Sequence, residues 1–268
     1  MKFIHVTDPH LVRAGDRIWG LDPMARFDAC IADINANHAD AEFCIITGDL
    51  VENGGPAAYD AFAASLARLE LRPHLLIGNH DSRAEFLAAY PDAPVDDNGF
   101  VQSVIETAAG DFILLDTVVA GTHGGEFCTT RAAWLHAQLA ERADRDVYLF
   151  MHHPPFDVNI PSLDDIGLLD KQPFAAAVAG FANIRHLFFG HAHRPIAGSW
   201  RGIPFTTMRG TNHGVEFDLE TRGHVPKNHE PAAYAVVWLE ADRVLVHFHD
   251  YMEKTRLVPD GDGYRYAE

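Results

Sequence analysis

The chain reads as an α/β fold organised around a parallel sheet, and two features predict it. Up to Asp81, strand-length apolar runs alternate with helix-length segments in the order βαβαβ, which requires parallel strands joined by right-handed crossovers. Five apolar runs also end in a carboxylate, an imidazole or an amide. Phe3-Ile4-His5-Val6 precedes Asp8, Phe43-Cys44-Ile45-Ile46 precedes Asp49, and Leu75-Leu76-Ile77 precedes Asn79. Val147-Tyr148-Leu149-Phe150 precedes His152, and Leu187-Phe188-Phe189 precedes His191. Strand ends that point the same way gather on one sheet edge, where folds of this kind bind ligands.

In chain order, the first strand ends near Thr7 and a loop rich in Gly and Asp follows through Gly20. Asp22-Pro23 opens a helix, with Asp22 as N-cap and Pro23 in the first turn, that reaches about His38 with Phe27, Ile31 and Ile34 on one face. A strand from Glu42 to Thr47 leads to Asp49, a second helix runs from Pro56 to about Leu69, and a strand from His74 to Ile77 follows. A short helix is expected between Ser82 and Tyr90, then strands over Phe100–Thr107 and Phe112–Asp116 and a helix over Thr130–Arg142. Asn159 to Lys171, with Pro161 and Gly167, reads as an irregular rim, and a helix from Pro173 to Phe181 leads to the strand before His191. Short strands follow at Ile203–Thr207, Gly214–Leu219, Ala232–Glu240 and Arg243–Asp250.

A length of 268 residues with 47% apolar content suits one large domain with an appendage. We place residues 1–215 in the site-bearing domain and 216–268 in a C-terminal β extension. The apolar Ala235-Val236-Val237-Trp238 suits either an interface in a homo-oligomer or a cap on the core. A formal charge of −17 argues against a nucleic acid polymer as partner, and no apolar run is long enough to cross a membrane. Three cysteines at unrelated spacings argue against a disulfide framework, so a cytoplasmic location is expected. The 17 histidines raise the question of metal.

Seven candidate ligands stand at the strand ends: Asp8, His10, Asp49, Asn79, His152, His191 and His193. Imidazoles and carboxylates with one amide oxygen suit iron, manganese, cobalt or zinc, divalent or trivalent, better than calcium or magnesium. Seven ligands exceed one tetrahedral ion and match two ions ~3.5–4 Å apart that share a carboxylate. Asp49 arrives alone between the paired ligands and is assigned as the bridge.

The combination of Asp8-Pro9-His10, Gly48-Asp49, Gly78-Asn79-His80-Asp81, His152 and Gly190-His191-Ala192-His193 resembles the calcineurin-like metallophosphoesterases, over residues 1 to about 215. Trp19-Gly20 and His152-His153-Pro154-Pro155 look most like the class III cyclic-nucleotide phosphodiesterases and the related glycerophosphodiesterases. The resemblance implies a four-layer αββα metallophosphoesterase sandwich with a dinuclear centre. Asp8, His10, Asp49 and His193 would hold one ion, and Asp49, Asn79, His152 and His191 the other. Pro9 and Ile77 depart from the commoner pattern without removing a ligand.

The implied activity is hydrolysis of a small anionic phosphodiester, either a 3′,5′-cyclic nucleotide or a glycerophosphodiester, by attack of a metal-bound hydroxide. His80 would bond a phosphoryl oxygen or protonate the leaving group, with Asp81 orienting its imidazole. By the same resemblance Asn53 reaches the phosphate or the second ion, and His213 stands at the substrate rim. Two rivals are a phosphomonoesterase, including a protein phosphatase, and a catalytically silent binding module. A monoesterase wants cationic side chains at the phosphate, and Arg83 is the one nearest to Gly78-Asn79-His80-Asp81. His5 and His74 read as satisfied core or surface histidines, His153 as structural or as a support behind the ligands, His247 and His249 as a surface face, and Asp260-Gly261-Asp262-Gly263 as a tail turn.

Overall fold

Nearly unbroken apolar strands imply sheets covered on both faces. The computed structural model, which describes residues 1–253, contains two such sheets packed face to face. The first half comprises β1 (Lys2–Val6), α1 (Pro23–Asn37), β2 (Cys44–Thr47), α2 (Pro56–Leu66), β3 (Pro73–Leu76) and α3 (Arg83–Ala89). Next come β4 (Ser103–Thr107), β5 (Gly110–Leu115), α4 (Thr129–Glu141), β6 (Val147–Met151), α5 (Pro161–Asp164), α6 (Gln172–Ala177) and β7 (Ile184–Phe189). The chain continues through β8 (Ile196–Trp200), β9 (Ile203–Thr207), β10 (Gly214–Val215), β11 (Lys227–Asn228), β12 (Ala233–Glu240) and β13 (Arg243–Asp250).

One sheet has the order β13-β12-β1-β2-β3 and the other β4-β5-β6-β7-β9-β8, while β10 and β11 form a small ribbon. The pairs β1/β2, β2/β3, β5/β6, β6/β7 and β7/β9 are parallel. The four layers follow from the period of two along each strand. Phe3, Ile45, Leu76, Phe112, Phe150 and Phe188 meet between the sheets. Ile4, Val6, Cys44 and Ile46 point the other way, onto Phe27, Ile31 and Ile34 of α1 and Tyr59 and Phe62 of α2. On the far side, Leu149, Leu187 and Phe189 pack against Leu135 and Leu139 of α4 and Phe174 of α6. The α1 start is as expected: Asp22 Oδ1 accepts the Ala25 amide at 3.0 Å, and Pro23 takes the first turn.

Several boundaries differ from the sequence reading. The strand expected from Phe100 begins at Ser103, because Asp96 accepts the Asn98 and Phe100 amides and Asp116 accepts that of Val101. The helix expected to reach Phe181 ends at Ala177, and of the strand over Gly214–Leu219 only Gly214–Val215 forms. The rim at 159–171 contains α5 and is tied to Gly125 through a β-bridge at Leu168. β12 pairs antiparallel with β1, Phe3 opposite Val237, so Ala235, Val236 and Val237 lie in an inner strand and cap the core. Asp260-Gly261-Asp262-Gly263 lies outside the described residues. No helix among the described residues is long and apolar enough to cross a membrane.

Histidines are built into the layer between the sheets. His5 contacts Thr47 Oγ1 at 2.9 Å and His186 contacts Thr206 Oγ1 at 3.0 Å. Burial pushes both imidazoles down, His5 to about 3 and His186 to about 4. Each is therefore held neutral in the fold and charges more readily when unfolded. Their stabilising contribution is complete above about pH 6.5 and is lost as pH falls towards about 4, by roughly 3 kcal/mol for His186. His186→Gln, which can still reach Thr206, is expected to narrow the loss of stability between about pH 7 and about pH 5, as measured by urea midpoints.

Candidate metal centre

The strand ends meet in space. Asp8 and Asp49 follow β1 and β2, Asn79 follows β3, and His152, His191 and His193 follow β6 and β7 in the facing sheet. A straight strand end would throw alternate residues outward together, but these segments turn. Asp8, His10, Asp49, His191 and His193 all have φ between 47° and 65°, and they are five of the eight non-glycine residues with positive φ among the described residues. Left-handed backbone costs on the order of 1–3 kcal/mol per residue, least for Asp and Asn, and tends to be kept where a site needs it. The glycines beside these segments are required by crowding. A Cβ on Gly78 would overlap the Asp49 carboxylate, and one on Gly48, already at φ +91°, would lie 2.6 Å from His152 Nδ1.

The hydrogen bonds on the outer side of each imidazole set its tautomer. Thr47 O lies 2.7 Å from His152 Nδ1, His213 O lies 2.9 Å from His193 Nδ1, and the Glu52 carboxylate lies 2.7 Å from His10 Nδ1. Each Nδ1 donates, so each Nε2 turns a lone pair inward. There the acceptors confront one another. His10 Nε2 is 3.2 Å from His193 Nε2 and 3.5 Å from Asp49 Oδ2, and His193 Nε2 is 3.3 Å from Asp8 Oδ1. Beside them, His152 Nε2 is 3.3 Å from the same Asp49 Oδ2 and 3.2 Å from Asn79 Oδ1. The other Asp49 oxygen accepts the His80 amide at 2.9 Å, which leaves Oδ2 between the two groups.

Such a cluster needs positive charge at its centre, either protons or cations. Burial opposes charge on His152, yet Asp49 and Asp8 draw its pKa up to about 9, and Asp8 likewise raises His193 against its burial. Both carboxylates are held below the usual range despite burial, Asp8 by His193 and Asp49 chiefly by His152. His191 Nε2 is buried with no hydrogen-bond partner, as an atom reserved for a ligand would be. The donor set fits metal: Asp8, His10, Asp49 and His193 lie close enough to hold one ion, and beside them His152 Nε2 meets both Asp49 and Asn79, with His191 next to His152.

Other expected residues fall in different places. His80 Nδ1 contacts Glu52 O at 2.6 Å, so its Nε2 is free towards a cavity of about 530 Å³ that His80 lines with Asn53 and His213. The His213 ring lies 4.4 Å from that of His193. Asp81 does not orient the His80 imidazole as expected. Its carboxylate accepts the Leu50, Val51 and Gly78 amides and the Tyr59 hydroxyl, binding the loop that carries Asp49 to the loop that carries Asn79. Burial and the neighbouring Asp49 charge push that carboxyl up to about 7, while the four donors favour its ionised form. His153 is structural, with Thr117 Oγ1 at 2.7 Å and His123 O at 3.1 Å occupying both ring nitrogens.

Sequence reasoning missed Glu52, His123 and Lys227. Glu52 fixes His10, and its position three residues after Asp49 was an available signal. His123 Nδ1 meets the Asn79 amide at 3.2 Å and its ring lies 5.2 Å from that of His80. Lys227 lines the same cavity from a strand with no local signature of a site.

Comparison with known proteins follows this geometry. Residues 1–195 match the family described as calcineurin-like phosphoesterase. The chain is 46% identical over 255 residues to a probable cyclic nucleotide phosphodiesterase of Rhodopseudomonas palustris, covering 94% of this chain and 93% of that protein. It is 26% identical over 251 residues to a probable glycerophosphodiester phosphodiesterase of Arcobacter nitrofigilis, with 92% of each chain covered. A dimetal phosphatase from Danio rerio superposes with a TM-score of 0.71 at 15% identity, over 94% of this chain and 96% of that one, a likeness of fold.

Asp49→Asn keeps the shape of the shared side chain and removes its charge. Metal retained after dialysis, measured by elemental analysis, is expected to fall to a small fraction of the wild-type content. Glu52→Gln, which alters the partner of the outer nitrogen of His10 and lies 3.5 Å from His80 Nδ1, is expected to weaken metal affinity about 10–100-fold, as read by chelator competition.

Proposed function

The chain belongs to the calcineurin-like phosphoesterase family, and we propose that it works as a phosphodiester hydrolase. Its substrates are small anionic diesters, 3′,5′-cyclic nucleotides or glycerophosphodiesters, and its centre takes two first-row transition ions. The observation that carries this reading is the pair of lone-pair clusters sharing Asp49 Oδ2 at 3.5 Å from His10 and 3.3 Å from His152. Imidazole, carboxylate and a single amide oxygen favour iron, manganese, cobalt or zinc over calcium or magnesium. Bound there, the ions would neutralise phosphate oxygens and lower the pKa of water.

The chain's own groups supply orientation and proton handling. Asp8 is fixed by Thr7 Oγ1 at 2.7 Å and the His191 amide at 3.1 Å, so its remaining lone pairs keep their direction when a ligand enters. His80 donates from Nδ1 to a main-chain carbonyl and presents Nε2 to the cavity. That nitrogen gives a hydrogen bond to a phosphate oxygen, or a proton to the leaving alkoxide, a role worth ~10²–10⁴ in rate. Asn53 and His213 line the same cavity and face the substrate.

Diesters are favoured over monoesters by where the arginines go. Arg83 is consumed by Asp116, with contacts of 2.8 and 2.9 Å, and by Val118 O at 2.8 Å. A second charge on a monoester would therefore meet no guanidinium from that helix. A silent binding module has lost a ligand or the proton-handling imidazole, and neither is missing from this chain.

Two measurements test the reading. With manganese supplied, turnover of bis(p-nitrophenyl) phosphate should exceed that of p-nitrophenyl phosphate, and the reverse order would assign a monoesterase. His80→Ala should keep its metal content while losing ~10²-fold or more in kcat, and unchanged kcat would remove His80 from the chemistry.

A further inference from the structure

His123 lies exposed on the loop between β5 and α4, lines the cavity and stands beside His80, with ring centres 5.2 Å apart. We propose that His123 is a second substrate-facing imidazole, which donates a hydrogen bond from Nε2 to an oxygen of the bound phosphoryl group alongside His80. This rests on the phosphodiester hydrolase reading above.

Asn79 sets the direction of this donor. Its amide has one acceptor atom and one donor atom, and Oδ1 lies 3.2 Å from His152 Nε2, on the side where the candidate ligands converge. Nδ2 therefore turns the other way, where it meets His123 Nδ1 at 3.2 Å. An amide nitrogen can only donate, so Nδ1 accepts and the proton of the His123 ring sits on Nε2. That N–H meets no hydrogen-bond partner among the described residues. His80 is arranged alike: its Nδ1 is spent on Glu52 O, and Nε2 is left for the cavity. No arginine among the described residues lines this cavity, so imidazole N–H groups are placed to meet phosphoryl oxygens, and such bonds strengthen when the acceptor is charged.

The loop is also held in place before any ligand arrives. His153 Nδ1 accepts the Thr117 hydroxyl at 2.7 Å, so its Nε2 donates to His123 O, at 3.1 Å. Two residues on, the Gly125 amide donates to Gly167 O and the Gly125 carbonyl accepts the Leu169 amide, both at 2.9 Å. Gly125 passes so close to His153 that a Cβ there would lie 2.5 Å from the ring. The buried His153 thus supports the backbone of the loop from below and the rim supports it from the side. A donor fixed in this way loses little freedom on meeting a phosphate oxygen.

The two ring nitrogens can be tested apart, because the amide of asparagine stands where Nδ1 does and that of glutamine where Nε2 does. His123→Asn keeps an acceptor for Asn79 and removes the donor into the cavity, whereas His123→Gln puts a donor back. In manganese-loaded protein, kcat/KM for bis(p-nitrophenyl) phosphate is expected to fall about tenfold or more in His123→Asn and about threefold or less in His123→Gln, as when a hydrogen bond to a charged group is lost and then partly rescued. Manganese content by elemental analysis is expected to match wild type in His123→Asn. The proposal is overturned if His123→Asn matches wild type in kcat/KM, if His123→Gln loses as much as His123→Asn, or if the loss in His123→Asn follows lost manganese. If the wild type turns over no diester, calorimetric titration of the same three manganese-loaded proteins with inorganic phosphate decides separately. Binding weakened in His123→Asn and partly recovered in His123→Gln keeps the donor and removes the hydrolase reading, and equal binding in all three removes the donor too.

Discussion

The structure turns on lone pairs forced to face one another. His10, His152 and His193 each donate outward to a fixed acceptor, so their inner nitrogens have only Asp8, Asp49 and Asn79 oxygens to meet. In a buried, low-dielectric setting this is unfavourable until positive charge enters, which is why the carboxylates draw up the proton affinity of His152 and His193. Affinity for cations is thus stored in the fold as acceptors held too close together to be stable without a cation between them.

Holding them there requires rigidity on every side. The two sheets stack through rings such as Phe150 and Phe188, 4.7 Å apart, and the ligand loops leave the ends of strands buried on both faces. Left-handed backbone at Asp8, His10, Asp49, His191 and His193 then aims the side chains inward, at an energetic cost that surrounding packing offsets. Asp81 belongs to this framework. By accepting main-chain amides from the Asp49 loop and from Gly78, it ties two neighbouring strand ends together at the point where their side chains must converge.

The remainder of the cavity is built largely from segments outside the ligand loops. α5 contributes Ser162 and Leu163, while the segment around β10 and β11 contributes Val215, Val225 and Lys227. The ligand cluster and the apolar side of the cavity are therefore built from different segments of the chain. They are joined through the apolar cluster around Ala192.

Much of this was legible in the residues alone. Unbroken apolar runs ending in Asp, Asn or His announced buried strands with a polar edge, Asp22-Pro23 announced a helix start, and the family-like spacing of the donors announced a candidate metal centre, because strand formation and capping act within a few residues. Tertiary structure alone decided that β12 lies against β1, that Glu52 and not Asp81 attends an imidazole, which nitrogen of each histidine faces inward, and that Ser162 is buried without a partner. Those outcomes depend on contacts between residues far apart in the chain, and no local window of sequence carries the geometry that brings them together.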